Sequence, residues 1–273
     1  MRDIRSLSID LSKFYPDRCI EILTKNAIPD IDEKHAVIHH SNESILAEYF
    51  AYEFAQGRYK KLAALDIRRP FGNCYLPLKY RAGEGVTDLD YKRFFDSARI
   101  KAEKYNNFIG TFVIDITDHL VNPYHPAMDR LLDFVDATST DTKYLFIIDT
   151  NDSLIAEKMF KRIVSRVRRL DMIELHVSTS QYADYASMLL QSKGIILTKS
   201  INQPLTKYIT KISEKTSFSG FESIRDSVDD IIYAIHGMTD AKSVTGKQLV
   251  KILDSLVIID DEKTTMQIGF GRG

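Results

Sequence analysis

The sequence predicts an α/β protein: a parallel sheet flanked by helices, followed by a small C-terminal helical domain. Three observations carry this. Two apolar runs, Phe108-Ile-Gly-Thr-Phe-Val-Ile-Asp115 and Tyr144-Leu-Phe-Ile-Ile-Asp149, each end in a carboxylate and enclose a helical pattern from Met128 to Val135. Strands this apolar are covered on both faces, which is the mark of parallel pairing. A third apolar run, Ala36 to Ile38, leads through a polar turn into a helical pattern. Beyond Asn202-Gln-Pro204 the strand patterns stop, and only helical spacing remains. We therefore expect a core over residues 1–200 with an N-terminal extension, and a helical, lid-like domain and tail over 201–273.

The elements follow in order. Cys19, Ile20, Ile22 and Leu23 suggest a short N-terminal helix, and Pro29 to Lys34 a polar connection. The turn His39-His-Ser-Asn-Glu-Ser44 precedes Ile45, Leu46, Tyr49, Phe50 and Phe54 at helix spacing. Leu62 to Ile67 reads as a second strand. Arg68 to Asp90, with Pro70, Gly72, Pro77, Gly83 and Gly85, reads as loop. Tyr91 to Tyr105 is an amphipathic helix candidate. Asp152 or Ser153 can cap a helix running roughly to Leu170. Met172 to Val177 reads as a strand and Tyr182 to Gln191 as a helix. Leu205 to Ile212, Phe221 to Ile235 and Gly246 to Leu256 supply the terminal helices, and the tail Gln267 to Gly273 is glycine-rich. Alternating strands and helices place the strand ends at Asp115, Asp149 and Asn151, where open parallel sheets bind ligands.

Composition narrows the function. The chain has 273 residues, 44% hydrophobic, with a formal net charge of -1. That length supports one sizeable core or a core with a lid. The balanced charge gives no global pull towards nucleic acid or an acidic substrate. Two cysteines far apart, Cys19 and Cys74, form no disulfide framework or zinc pattern. With a charged start at Arg2, Asp3 and Arg5, and no long apolar run, the expectation is a cytoplasmic protein without membrane contact.

Local patterns say more. The order of strand, turn and helix over His35 to Ala55 is where a phosphate-binding loop places a nucleotide's phosphates. Such a loop needs glycines for close backbone approach and a lysine for charge. This stretch has neither. Ser41, Asn42 and Ser44 remain as candidate phosphate contacts at a helix N-terminus, against the negative charge of Glu43. His39 and His40 point to opposite sides of an extended segment, and no spacing completes a metal site. Residues 158–169 hold six basic side chains and no acid. This patch suits a solvated face, an acidic partner, a neighbouring subunit or nucleic-acid phosphate. Gly246-Lys247 does not qualify as a phosphate loop: Ala241 and Gln248 occupy its glycine and hydroxyl positions.

Taken together, these segments resemble the AAA+ ATPase domain over roughly residues 30 to 236. Ile163-Val-Ser-Arg166-Val-Arg-Arg-Leu-Asp-Met-Ile-Glu-Leu175 is similar to the family's segment in which a Ser-Arg or basic pair ends a helix before a strand, as in clamp-loader subunits. The resemblance implies an arginine finger at Arg166, with Arg168 and Arg169 as competing assignments. It implies a Walker B first acid at Asp115, a sensor-1 residue at Asn151 and a sensor-2 arginine at Arg225. Its cofactor would be ATP or ADP with Mg²⁺. Ile116 stands in the place of the second Walker B acid. The lysine, the glycines and that acid are missing together, and phosphoryl transfer depends on positioning and charge. The expectation is therefore a catalytically degenerate AAA+-like scaffold or adaptor in a homo- or hetero-oligomer. The alternatives are an unconventional ATP-binding protein with weak ATPase activity, and a DNA-associated module working through 158–169.

Overall fold

The computed structural model describes residues 9–27, 35–64, 71–78, 92–97, 100, 109–116, 121–137, 142–197, 201–215, 217–238 and 243–265. The chain divides into two compact units. One spans Leu11–His176 with Met1–Arg5, and the other Val177–Gly273 with Ser6–Asp10.

The first unit begins with a 3₁₀ turn, Leu11–Phe14, and helix α1, Asp17–Ala27. Strand β1, His35–His40, and helix α2, Ser44–Ala64, follow. Then come β2, Phe71–Leu78; β3, Ile109–Ile116; α3, Pro126–Ala137; β4, Lys143–Asp149; α4, Ser153–Val164; and β5, Leu170–Glu174. The sheet order is β2-β3-β4-β1-β5, and every pairing is parallel. From β1 the chain crosses left to β2, whereas from β3 and β4 it crosses right. Right-handed crossovers then place α2 on one face and α3 and α4 on the other.

The packing agrees. Phe112, Ile114, Ile116, Tyr144, Phe146 and Ile148 face the buried side of α3 and α4, including Leu131, Phe134, Met159 and Ile163. Phe112 meets the ring of Phe134 edge-on at 5.1 Å. On the opposite face α2 packs on β1, β3 and β4 and against α1, with Phe50 and Phe54 fully buried. Because side chains alternate along each strand, both faces demand apolar residues, and the continuous runs of β3 and β4 follow.

Several expected boundaries move. Leu62 to Ala64 continue α2 instead of starting a strand, with no proline in the run and Gly57 tolerated within it; Leu65 and Ile67 lie outside the described residues. Phe71–Leu78 is a strand where a loop was expected. It occupies the sheet edge, where a proline such as Pro77 costs no ladder bond on its open side. Helix α4 ends at Val164 rather than near Leu170: Arg166 N–H and Val167 N–H both turn back to the Ile163 carbonyl, and Arg169 beyond them takes a left-handed conformation with φ 58°. Strand β5 accordingly starts at Leu170, ahead of the expected Met172. The segment 79–91 and the tail 266–273 lie outside the described residues.

The second unit holds α5, Thr179–Ser192; β6, Ile196–Leu197; α6, Asn202–Ser213; α7, Phe221–Met238; β7, Ser243–Val244; and α8, Gly246–Thr265. Helices α5 and α8 each pack on both α6 and α7. This is why α5 belongs to the helical unit, and the division falls at His176–Val177, ahead of the boundary read near residue 200. Tyr185 meets Phe221 edge-on at 4.7 Å at the centre of its core. Ser178 with Gln181 caps α5, and Thr245 with Gln248 closes the same reciprocal box on α8. Gly246 is thus a helix start.

Candidate functional site

Strands β1 and β4 are neighbours whose onward connections run in opposite directions, so the crevice beyond their carboxyl ends is the topological switch point of the sheet. Register fixes what stands there. His40 is level with Asp149, and Ile38, Ile147 and Asp115 form the row below it. His40, Asp149 and Asp115 therefore share the α2 face, with Asp115 about 7 Å further down, two strand residues. Asp115 is only 7% exposed. Backbone bonds tie the strand ends together: Thr150 N–H donates to the His40 carbonyl at 2.9 Å, and Leu175 N–H to the His39 carbonyl at 2.8 Å.

The turn from β1 into α2 is closed by its own side chains. His40 is buried, and its Nδ1 accepts the backbone N–H of Glu43 at 3.3 Å. That nitrogen therefore carries no proton. Asp149 Oδ1 lies 3.5 Å from it, but the contact is not an ion pair while Nδ1 is an acceptor. Burial, helped by the neighbouring His39, lowers the pKa of His40 to about 4. His39 turns to the other face and, through Nε2, donates to the Thr150 carbonyl at 2.9 Å. Neither histidine is directed at an external ligand by these bonds.

Glu43 is the residue the sequence reading undervalued. Its carbonyl accepts the N–H of Ala47 at 2.8 Å, which makes it the residue that opens α2. It is 4% exposed. An acid is favoured at this position by the positive end of the helix dipole. The available signal was an acid immediately ahead of a long helical run, a pattern preferred at helix starts.

The remaining expected positions separate. Ser41 and Asn42 are exposed and Ser44 is half-buried, all in this turn. Asn151 is exposed beyond β4, and Asp152 does the capping. Its side chain accepts from Leu154 N–H at 2.9 Å and Ile155 N–H at 3.1 Å. The Arg169 carbonyl accepts from His35 N–H, which begins β1. The turn holding Arg166, Arg168 and Arg169 thus lies at the amino edge of the sheet. It stands about 17 Å, the length of β1, from the switch point. Arg166 cannot reach this chain's own strand ends. It is 53% exposed on its side chain and pairs with Asp136 at 2.7 Å. Arg162 pairs with Asp129, and Lys161 with Glu157 at 2.6 Å. At least half of the basic patch is therefore answered by neighbouring acids. Arg225 belongs to α7 of the second unit, beside Glu222 at 3.8 Å and Asp226 at 3.9 Å.

No protein-family model and no curated protein matches the chain. Solved structures do. PCH-2 from C. elegans aligns with 96% of this chain and 73% of its own, at 11% identity and a TM-score of 0.53. The Aeropyrum pernix ORC1 protein, solved in complex with DNA, aligns with 94% of this chain and 68% of its own, at 10% identity and a TM-score of 0.55. Domain III of the Thermotoga maritima replication initiation protein DnaA aligns with 92% and 95%, at 11% identity and a TM-score of 0.51. The fold is AAA+ ATPase-like, with an all-parallel sheet between helices. Among the described residues no helix is long and apolar enough to cross a membrane.

Proposed function

We propose that this chain is a catalytically degenerate AAA+-like protein that acts as a scaffold or adaptor in an oligomeric assembly. One observation carries the reading. In the turn from β1 into α2, where a phosphate-binding loop would lie, the residue that opens the helix is a buried acid, Glu43, and its backbone N–H is already held by the His40 imidazole. That N–H is not offered to a phosphate. A phosphate also finds no glycine-lined backbone and no lysine between His39 and Ser44.

The other end of the sheet supports the assembly role. Arg166 is remote from this chain's strand ends and exposed, and its pair with Asp136 is of the solvent-facing kind that contributes little and exchanges readily. An arginine so placed serves a site on another subunit, with Arg168 beside it. The ion pairs along α4 favour a protein surface over a phosphate track. Nucleic acid, which appears in the ORC1 structure, is the less favoured partner.

Calorimetry of the purified chain with ATP and ADP, with and without Mg²⁺, tests the closed site. No heat of binding up to millimolar nucleotide is expected. Saturable, Mg²⁺-dependent binding lost in Asp115→Ala would replace this reading with an unconventional nucleotide site at Ser41, Asn42, Ser44, Asp115 and Asn151. The trans role predicts that Arg166→Ala lowers a competent partner's ATPase rate while leaving this chain's melting temperature in place. An unchanged partner rate removes that role.

A further inference from the structure

The helical unit carries two surfaces of opposite charge. Helices α6 and α8 border a groove of about 280 Å³ with Lys207 and Lys211 on one wall and Val250 and Leu253 on the other. Lys247 and Lys251 extend the α8 side one turn apart, and all four lysines are exposed. Asp254 is the one acid lining the groove. Among the described residues none of these four lysines forms an ion pair. The groove also has an apolar component: Val250 is 39% exposed.

Helix α7 presents the complement. Asp226, Asp229, Asp230 and Tyr233 fall on one stripe at helical spacing, all exposed. Tyr233 is 84% exposed, the most of any large apolar side chain described. Asp226 lies near Arg225 at 3.9 Å; Asp229 and Asp230 form no ion pair among the described residues. Because α5 and α8 each pack on both α6 and α7, the latter two occupy opposite corners of the unit. The acidic face cannot fold back into the groove of its own unit.

We propose that the α6–α8 groove receives the acidic face of α7 from a second copy of this chain, joining helical units head to tail. Asp229 and Asp230 would meet Lys207 and Lys211, and Tyr233 would cover Val250 and Leu253. A ring, rather than a two-fold pair, is the closed form of such a contact. The inference rests on the oligomeric reading above and gives it a surface.

Sedimentation velocity of the full chain at low salt tests it. Wild type is expected to self-associate, and added salt to weaken the association through screening. Reversing the groove with Lys207→Glu and Lys211→Glu, or the face with Asp229→Lys and Asp230→Lys, should weaken it at least about tenfold. All four positions are exposed, so both variants should fold, which circular dichroism checks. Mixing the two reversed variants should restore association, because each groove then meets a face of opposite charge. A monomeric wild type, or reversed variants that associate normally, would overturn the contact. Association that survives both reversals but is lost in Arg166→Ala would leave the assembly reading standing and remove this surface. Loss of binding to a labelled single-stranded oligonucleotide in the groove variant, with self-association intact, would make the groove a phosphate track instead.

Discussion

His35 and His40 stand at the two ends of β1, and each uses Nδ1 to accept a backbone N–H, from Tyr144 at 3.1 Å and from Glu43 at 3.3 Å. Burial lowers both pKa values to about 4, with Lys143 adding repulsion at His35 and His39 at His40. In the unfolded chain both titrate near 6.5, so between about pH 6.5 and 4 the unfolded state binds more protons. Stability is then full above pH 6.5 and is lost as pH falls through that window. We expect a loss on the order of 1–2 kcal/mol per histidine at pH 5. Asn places an acceptor oxygen near the position of Nδ1 and does not titrate. The double variant His35→Asn with His40→Asn should flatten the melting temperature between pH 7 and 5; a slope unchanged by it would assign the loss to other groups. Glu21, whose pKa is lowered to about 2 by Lys25 and Arg18, acts only at lower pH. Arg169 poses a backbone question. Its φ of 58° costs a non-glycine residue about 1 kcal/mol. Arg169→Gly should be near neutral, relief of strain offsetting unfolded-state entropy, whereas Arg169→Val should destabilise by more than about 1 kcal/mol. Urea unfolding of the two variants checks this, and equal losses would mean the turn tolerates any residue.

At the scale of elements, legibility followed local chemistry. Strands β3 and β4 stand out because so continuous an apolar run requires cover on both faces. Edge strand β2 was hidden because Pro77 and Gly72 are turn formers locally, and only its place at the sheet margin makes them acceptable. Helix α4 was overextended because basic residues at helical spacing continue past Val164. Composition does not register that the backbone reverses at Arg169. The candidate site was legible in position and illegible in content. Asp115 and Asn151 were placed at strand ends by pattern, but the burial of Glu43 and its bond to His40 depend on a neighbouring strand and helix closing over a polar turn. The start of α4 is a case that was readable: Asp152 satisfies two of its free N–H groups. Asp152→Ala should cost about 1 kcal/mol and speed amide exchange in the first turn of α4, while Asp152→Asn should change little. Equal exchange in wild type and the alanine variant would mean that packing of Ala156 and Met159, rather than the cap, holds the helix start.

On the scale of the whole chain, each unit has its own core. In the first, Phe112 is fully buried between Phe134 and Tyr144 on the face covered by α3 and α4. In the second, Ile224 is fully buried on α7, whose first residue Phe221 packs on Tyr182 and Tyr185. The ring contacts named in each core are internal to its unit, and unfolding is expected to depart from a single two-state transition. Ile224→Ala should remove about 2–5 kcal/mol, and Phe112→Ala about 3–5 kcal/mol, each by lost burial and the cavity left behind. Hydrogen exchange followed by mass spectrometry separates the effects. Ile224→Ala should lower protection across α5 to α8 and leave β1, β3 and β4 protected, and Phe112→Ala should do the reverse. Such independence suits an adaptor, because a surface on the helical unit can engage a neighbour without disturbing the closed turn at Glu43. If either substitution lowers protection across both units equally, the chain folds as one cooperative body, and a partner bound on one unit would be felt at the strand ends of the other.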